Sequence, residues 1–415
     1  MTDLSTLNWK DEAYYSQHPH QKQLRDACLS RVNWGALCRY ASSKNSERPC
    51  TLLEQHTLGG VHLIRLLMFP SSDLQSPCLK ASGSDQTLWI VRVQLEQSTP
   101  ETESLLRAEI NAMELVRMRT EIPVPRIYGY ELNDENVVRA AFTLMELLPG
   151  SSAMDADGGF EIHGGRIPDG KKKKVLFEEV ARVQARLSSI RLPKIGCVIR
   201  HPDNSFDVGP LPHLGGPFST ANEFFEAWAR YAKFPRSGEA IREIMRHSPG
   251  PIREEVLSSI QKFPKRLREL ASRGSISTRN STGPFPLYHP DLYHSNIIVD
   301  KSYKVLGVID WEGACTVPWE IVQPPLFLTT LPPAMDDPGN YGEDGRPKDL
   351  DTVRRIAETA EYVRCVQEIE GEMGTDQTLS GILLDPAVQG LAFALKVYLD
   401  PGKMGFYCNV LKPFR

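Results

Sequence analysis

The residues best suited to chemistry lie between Leu287 and Glu320, LYHPDLYHSNIIVDKSYKVLGVIDWEGACTVPWE. Within it, Asn296–Val299 and Val305–Ile309 are short, β-branched apolar runs bounded by polar residues or glycine, the pattern of buried strands. His289-Pro290-Asp291 precedes the first run, Asn296 begins it, and Asp310 follows the second. A tight hairpin with these residues at its ends gathers carboxylate and amide oxygens around one small volume. Hard oxygen donors of this kind suit Mg²⁺, which binds through one or two carboxylates together with substrate phosphates. Asp291 and Asn296 also have a plainer use, as turn residues bonded to their own backbone.

The elements that must position these residues can be read from periodicity. Residues 1–45 predict a helical extension, with Leu24, Cys28, Val32 and Leu37 along one helix over 21–40. Thr51–Gln55 and Val61–Met68 predict a hairpin turning at Leu58-Gly59-Gly60. A polar loop at 70–86 leads to a strand at Thr87–Leu95, with Arg92 in its middle. Ser104–Arg117 predicts an amphipathic helix, and Ile122-Pro123-Val124-Pro125 ends it. Arg126–Tyr130 and Ala141–Leu147 predict two more strands. Residues 46–150 therefore predict a sheet-bearing lobe with one helix. Residues 151–172, rich in glycine, predict a linker, and 173–415 a mainly helical lobe. There Leu176, Val180, Val183 and Leu187 share one helix face. Phe224, Trp228 and Tyr231 form a second stripe, whose simplest use is core packing. Helices are also predicted at Ile252–Ala271, near 349–372 and near 386–398.

Bulk properties narrow the function. A chain of 415 residues exceeds one compact core. A net charge of −4 argues against nucleic acid or an anionic membrane as partner. Eight scattered cysteines without a Cys-x-x-Cys pair fit reduced thiols better than a disulfide framework or a zinc site. No apolar run approaches the ~20 residues of a membrane span, and the first residues lack a signal-peptide core. A cytoplasmic location is the expectation.

His289-Pro290-Asp291-Leu292, Asn296 and Ile309-Asp310-Trp311-Glu312 resemble the motif and metal-binding aspartate of the aminoglycoside phosphotransferase and choline kinase-like family, small-molecule relatives of protein kinases. Arg92 on the third strand and Glu109 on the next helix resemble its phosphate-binding base and that base's partner. Leu144-Met145-Glu146-Leu147-Leu148-Pro149-Gly150 resembles its hinge. The resemblance implies an α+β, bilobal protein-kinase-like fold, with an antiparallel sheet and one helix before a larger, mainly helical lobe. It implies an ATP-dependent kinase acting on a hydroxyl of a small polar metabolite, possible acceptors including aminoglycosides and amino alcohols. Asp291 would then accept the hydroxyl proton, while Asn296 and Asp310 would hold Mg²⁺. Arg92, pinned by Glu109, would meet the nucleotide phosphates beneath the Gly59-Gly60 turn. Backbone groups of Met145, Glu146 and Leu147 would bind the adenine edge. His289 would brace the loop, and His294 would sit exposed or touch substrate.

Two other classes compete. A non-catalytic nucleotide-binding scaffold on the same fold need not keep Asp291, Asn296 and Asp310 together. A protein kinase needs an activation segment after Asp310, yet Val317-Pro318-Trp319-Glu320 follows almost at once. An aminoglycoside acceptor would call for acidic side chains, for which Glu223, Glu226, Asp336, Asp337, Glu343 and Asp344 are available.

Overall fold

A computed structural model of the chain describes residues 9–70, 87–164, 166–277 and 280–415. The expected polar loop, apart from Pro70, lies outside the described residues, as does Cys78. In chain order come α1 (Glu12–Gln17), α2 (Pro19–Arg31), α3 (Trp34–Lys44), β1 (Thr51–Leu58), β2 (His62–Phe69), β3 (Thr87–Gln94) and α4 (Pro100–Arg119). Then follow β4 (Ile127–Glu131), β5 (Phe142–Glu146), β6 (Ser151–Ser152), α5 (Gly159–His163), α6 (Lys171–Ser189), β7 (Arg191–Leu192), β8 (Gly196–Arg200) and β9 (Phe206–Gly209). The last part holds α7 (Ala221–Tyr231), α8 (Gly238–Ile244), α9 (Gly250–Ser272), β10 (Phe285–Tyr288), β11 (Ile297–Val299), β12 (Val305–Val308), β13 (Cys315–Thr316), α10 (Leu350–Met373), α11 (Thr378–Leu384) and α12 (Pro386–Leu399). They divide into two compact units. The first takes in the chain up to Ile110, Pro123–Arg166 and Ile297–Ile309, and the second takes in the rest.

The first unit is built on an antiparallel sheet of order β1-β2-β3-β5-β4. In β3 burial alternates, with Trp89, Val91 and Val93 buried on one face, whereas Phe142–Met145 of β5 are all buried. Leu37 and Ala41 of α3 and Cys28 of α2 join the same apolar core, so the three N-terminal helices belong to this unit and do not stand apart from it. Each such fully buried large side chain contributes roughly 1.5–3 kcal/mol. The single helix expected over 21–40 is two. Val32 is extended, and Asn33 caps α3 by accepting from the Ala36 N–H, a preferred use of Asn.

A smaller sheet, ordered β12-β11-β6, completes this unit. It corrects the reading of 151–172 as a linker. Ser151 and Ser152 pair with Val299 and Ile298, α5 follows, and the division between units falls at Arg166 and Ile167. Gly150 is required where the chain enters β6. A Cβ there would strike the Val299 carbonyl oxygen and press on Leu306 and Ile298.

The second unit has the expected helices. Leu176, Val180, Val183 and Leu187 of α6 are all buried. Phe224 and Trp228 of α7 are core residues, but Tyr231, on the helix's last turn, is 44% exposed. Beyond the predicted elements the unit holds two short helices, α8 and α11, and an antiparallel sheet of order β7-β10-β13-β8-β9. The strands of this sheet are too short to show a period. It matters for position, because Leu287 and Tyr288 pair with Thr316 and Cys315. That pairing aligns the strand entering the His289 loop with the strand leaving the Asp310 loop. The whole is the α+β, protein-kinase-like class that the sequence predicts. Among the described residues no single helix is long and apolar enough to cross a membrane.

Gly150→Ala should cost about 1–3 kcal/mol of stability, the usual range for forcing an extra group into a packed site. Chemical denaturation of the variant beside the wild type measures it; an unchanged midpoint would remove the close approach of Gly150 to β11.

Candidate active site

The loop after β10 is organised by its own polar side chains. His289 is 1% exposed, and its Nδ1 accepts the Asp291 N–H at 3.2 Å. An accepting Nδ1 puts the proton of a neutral imidazole on Nε2. His289 thus braces the loop, as expected. The Asp291 carbonyl accepts from the Tyr293 N–H at 2.8 Å, and the Tyr293 carbonyl from the Asn296 N–H at 2.9 Å. A 3-10 turn at His294–Asn296 ends the loop, so Asn296 precedes β11 and is not its first residue. His294, expected either to lie exposed or to touch substrate, is 1% exposed and packs on Tyr293 and Phe327.

Asn296 and Asp291 are brought together. The Asn296 Nδ2 group donates to the Asp291 carbonyl at 3.0 Å and to its Oδ2 at 2.8 Å. An amide nitrogen has two N–H donors, and both are spent here. That orients the side chain and turns its Oδ1 away from Asp291 as an acceptor. The Asp291 side chain lies at the surface, while Asn296 is buried.

Asp310 opens the second loop with φ near 62°, a left-handed conformation that Asp tolerates better than most residues. Trp311, fully buried, meets His289 edge-on with ring centroids 4.8 Å apart. The two loops are therefore held by one aromatic contact and by the β10–β13 ladder. The donor set fits Mg²⁺. The Asn296 Oδ1 and the Asp310 carboxylate are hard oxygens, fewer than a complete protein cage needs, and Mg²⁺ takes its remaining ligands from phosphates and water. Among the described residues no three His, Cys, Asp or Glu side chains gather as a metal cage.

In the first unit, Arg92 Nη1 donates to Glu109 Oε1 at 2.6 Å, and both side chains are largely buried. It is a buried ion pair and not a surface one. Removing one partner of such a pair leaves a buried charge and typically costs about 3–5 kcal/mol. Arg92 Nη2 also meets His62 Nδ1 at 3.3 Å. Burial, and then the Arg92 charge, drive the His62 pKa down to about 3, so His62 is a neutral acceptor. Sequence reasoning missed it. The signal exists only in the register: Ile64 lies opposite Arg92, which puts His62 diagonally beside it on the same face.

The remaining candidates fall around the first sheet. Gly59 and Gly60 form the β1–β2 turn, where the Gly59 N–H donates to the His62 carbonyl. Neither has a positive φ, and a Cβ on either meets no close neighbour. Met145 is buried in β5. Glu146 accepts the Arg126 N–H on its carboxylate at 3.1 Å and donates its own N–H to the Arg126 carbonyl at 2.8 Å. Leu147 stands just beyond the end of β5.

Comparison with known proteins adds the following. Residues 81–319 match the model of the phosphotransferase enzyme family. The "Altered inheritance of mitochondria protein 9, mitochondrial" of Saccharomyces cerevisiae is 25% identical over 310 residues, 62% of this chain and 48% of the relative. Its namesake in Zygosaccharomyces rouxii is 26% identical, over 57% of this chain and 45% of the relative. The chain spans about half the length of the curated relatives it matches. Among solved structures, an ADP-bound aminoglycoside phosphotransferase aligns with a TM-score of 0.44 and 11% identity, covering 91% of this chain and 96% of that one. The names of these relatives overturn the expectation of a cytoplasmic protein: both are called mitochondrial.

The depressed His62 pKa carries a pH dependence. The unfolded chain protonates His62 near its ordinary 6.5, while the fold keeps it neutral down to about 3. Stability is therefore complete above pH 6.5 and falls as the pH drops from there toward 3. Between pH 7 and pH 5 the loss should be roughly 1–2 kcal/mol. Denaturation at the two pH values measures it, and His62→Gln should remove most of the difference; a variant with the wild-type slope would show that other groups carry it.

Proposed function

Because this chain belongs to the phosphotransferase enzyme family, we propose that it is an ATP-dependent small-molecule kinase, transferring the γ-phosphoryl group to a hydroxyl of a polar metabolite. The observation that carries this reading is the Asn296 amide clamped on Asp291. It fixes a surface carboxylate as a proton acceptor and aims a neutral oxygen elsewhere. Phosphoryl transfer asks little more of a protein than positioning and charge neutralisation.

In this reading Asp291 orients the acceptor hydroxyl and takes its proton. The acceptor oxygen forms a bond to the γ-phosphorus as the bond to the β–γ bridging oxygen breaks, and ADP leaves. Asn296 and Asp310 hold the magnesium ion, which when bound neutralises charge on the nucleotide phosphates. Arg92 presents a fixed cation to those phosphates, kept in place by Glu109 and His62. Arg in place of Lys offers phosphate a planar fork where an ammonium offers a point charge. The Gly59-Gly60 turn covers the phosphates. At the adenine edge the Glu146 N–H is already committed to Arg126, so the work falls to the Glu146 carbonyl and the Leu147 N–H. The names of the curated relatives make the mitochondrion the compartment in which to seek the acceptor.

The test is ADP release from Mg·ATP across a panel of hydroxylated acceptors. Asp291→Asn should lower kcat about 10²–10⁴-fold, the worth of a general base, with nucleotide binding retained. Asp310→Asn should weaken nucleotide binding in the presence of Mg²⁺ and have little effect without it. Full turnover by Asp291→Asn would remove the role given to Asp291. Magnesium-dependent nucleotide binding without phosphorylated product from any acceptor would instead favour a non-catalytic nucleotide-binding scaffold.

A further inference from the structure

We propose that Lys396 is an acceptor-recognising residue, and that the acceptor carries an anionic oxygen group close to the hydroxyl that is phosphorylated. The inference rests on the phosphotransferase reading above and goes on to name the charge of its second substrate.

Lys396 lies near the end of α12, far along the chain from the Asp291 loop. Leu391, Ala394, Leu395 and Tyr398 of that helix are buried in the second unit's core. Asp385 caps the helix start by accepting from the Ala387 and Val388 N–H groups at 2.9 and 3.2 Å. Gln389 ties the helix to the Val322 carbonyl at 3.0 Å. The helix is thus anchored along its length, and it delivers the Lys396 ammonium to the Pro290 carbonyl at 2.9 Å. Pro290 is the residue before Asp291, so this cation stands at the base of the proton-accepting loop. An ammonium has three N–H donors; the Pro290 carbonyl takes one, and two remain for a ligand.

The electrostatics point the same way. Lys396 is an exposed residue, and its approach to the loop still lowers its pKa by desolvation, while Asp291 and Asp400 act in the opposite sense. A desolvated cation gains from an anionic partner more than one in open water does. The same cation repels a polyamine presented to Asp291.

The acidic residues that an aminoglycoside acceptor would need are engaged elsewhere. Glu223 closes the capping box of α7 with Thr220, and Glu226 pairs with Arg230 on the same helix. Asp336 accepts from the Asp337 N–H, Asn340 and Tyr341. Asp337 accepts from the Gly339 N–H, and Asp344 from the Arg346 N–H. Glu343 is exposed on its loop. Turns, a cap and a helix ion pair account for the other five acids, whereas the cation is brought to the Asp291 loop from a distant helix.

The test uses the full chain with Mg·ATP and one hydroxylated scaffold bearing a carboxylate, a phosphate monoester, a carboxamide or an aminomethyl group. The wild type should favour at least one anionic acceptor over the carboxamide by about tenfold or more in kcat/KM, and the aminomethyl acceptor should be the poorest. Lys396→Gln, which can still bond the Pro290 carbonyl, should lose that preference through KM, and Lys396→Arg should restore it. The carboxylate and phosphate arms tell the two anionic chemistries apart. An unchanged preference in Lys396→Gln, or a kcat loss equal for all acceptors, would overturn the assignment. Turnover confined to the aminomethyl acceptor would overturn this inference alone. Absence of both product and Mg-dependent nucleotide binding would overturn the phosphotransferase reading, and this inference with it.

Discussion

A carboxylate at the surface of a protein is mobile, and the role of proton acceptor proposed for Asp291 calls for a fixed one. The Asn296 amide resolves this conflict by bonding both the backbone carbonyl and the carboxylate of Asp291. Everything around that clamp serves to keep it closed. His289 accepts the Asp291 N–H from beneath, Trp311 packs on His289, and the β10–β13 ladder aligns the two loops. Because Asn296 spends its donors on Asp291, its one remaining polar atom is an oxygen. The same side chain therefore fixes the acid and supplies a hard donor, which explains why an amide and not a second carboxylate suits this position. A carboxylate there would repel the Asp291 carboxylate and would have no hydrogen to give.

The first unit faces a different constraint. Arg92 lies in a strand among Trp, Ile and Val, where an unmatched charge would be costly. Glu109 supplies the countercharge from α4, and His62 adds a neutral acceptor. A charged histidine would repel the guanidinium, so burial and Arg92 both keep it neutral. The result is a cation held in place by its own sheet and helix. Such an arrangement is well suited to meeting an anion repeatedly without rearranging.

What could be read from the sequence follows the range of the interactions. The strands β1 to β5 show as short apolar, β-branched runs broken by turn residues, and α4 shows in its three- and four-residue apolar spacing. The turn chemistry around Asp291 and Asn296 is local, and its spacing is therefore visible. Three features were hidden. The β7-β10-β13-β8-β9 sheet consists of strands too short to show alternation, held by partners far apart in the chain. Ser151 and Ser152 look like linker because two residues cannot reveal a period; only their pairing with β11 makes them a strand. His62 lies beside Arg92 through the β2–β3 register, which a long intervening loop leaves open from sequence.

The same distinction separates the reaction from its substrate. Groups that move a phosphoryl must stand in fixed relation to one another, so a few of them are carried on one short stretch, and their spacing survives as a motif. A group that recognises the acceptor needs only to reach the neighbourhood of Asp291, and any element that passes can carry it. Lys396 does so from α12, with a solvent-exposed stem and no neighbouring motif. An exposed lysine near a helix end is among the least informative residues in a sequence, since surface position and the helix dipole already account for it. Only the loop carbonyl it reaches distinguishes it. Acceptor chemistry in a chain of this kind is therefore to be sought in the long-range contacts of the Asp291 loop, where one cation has been brought in.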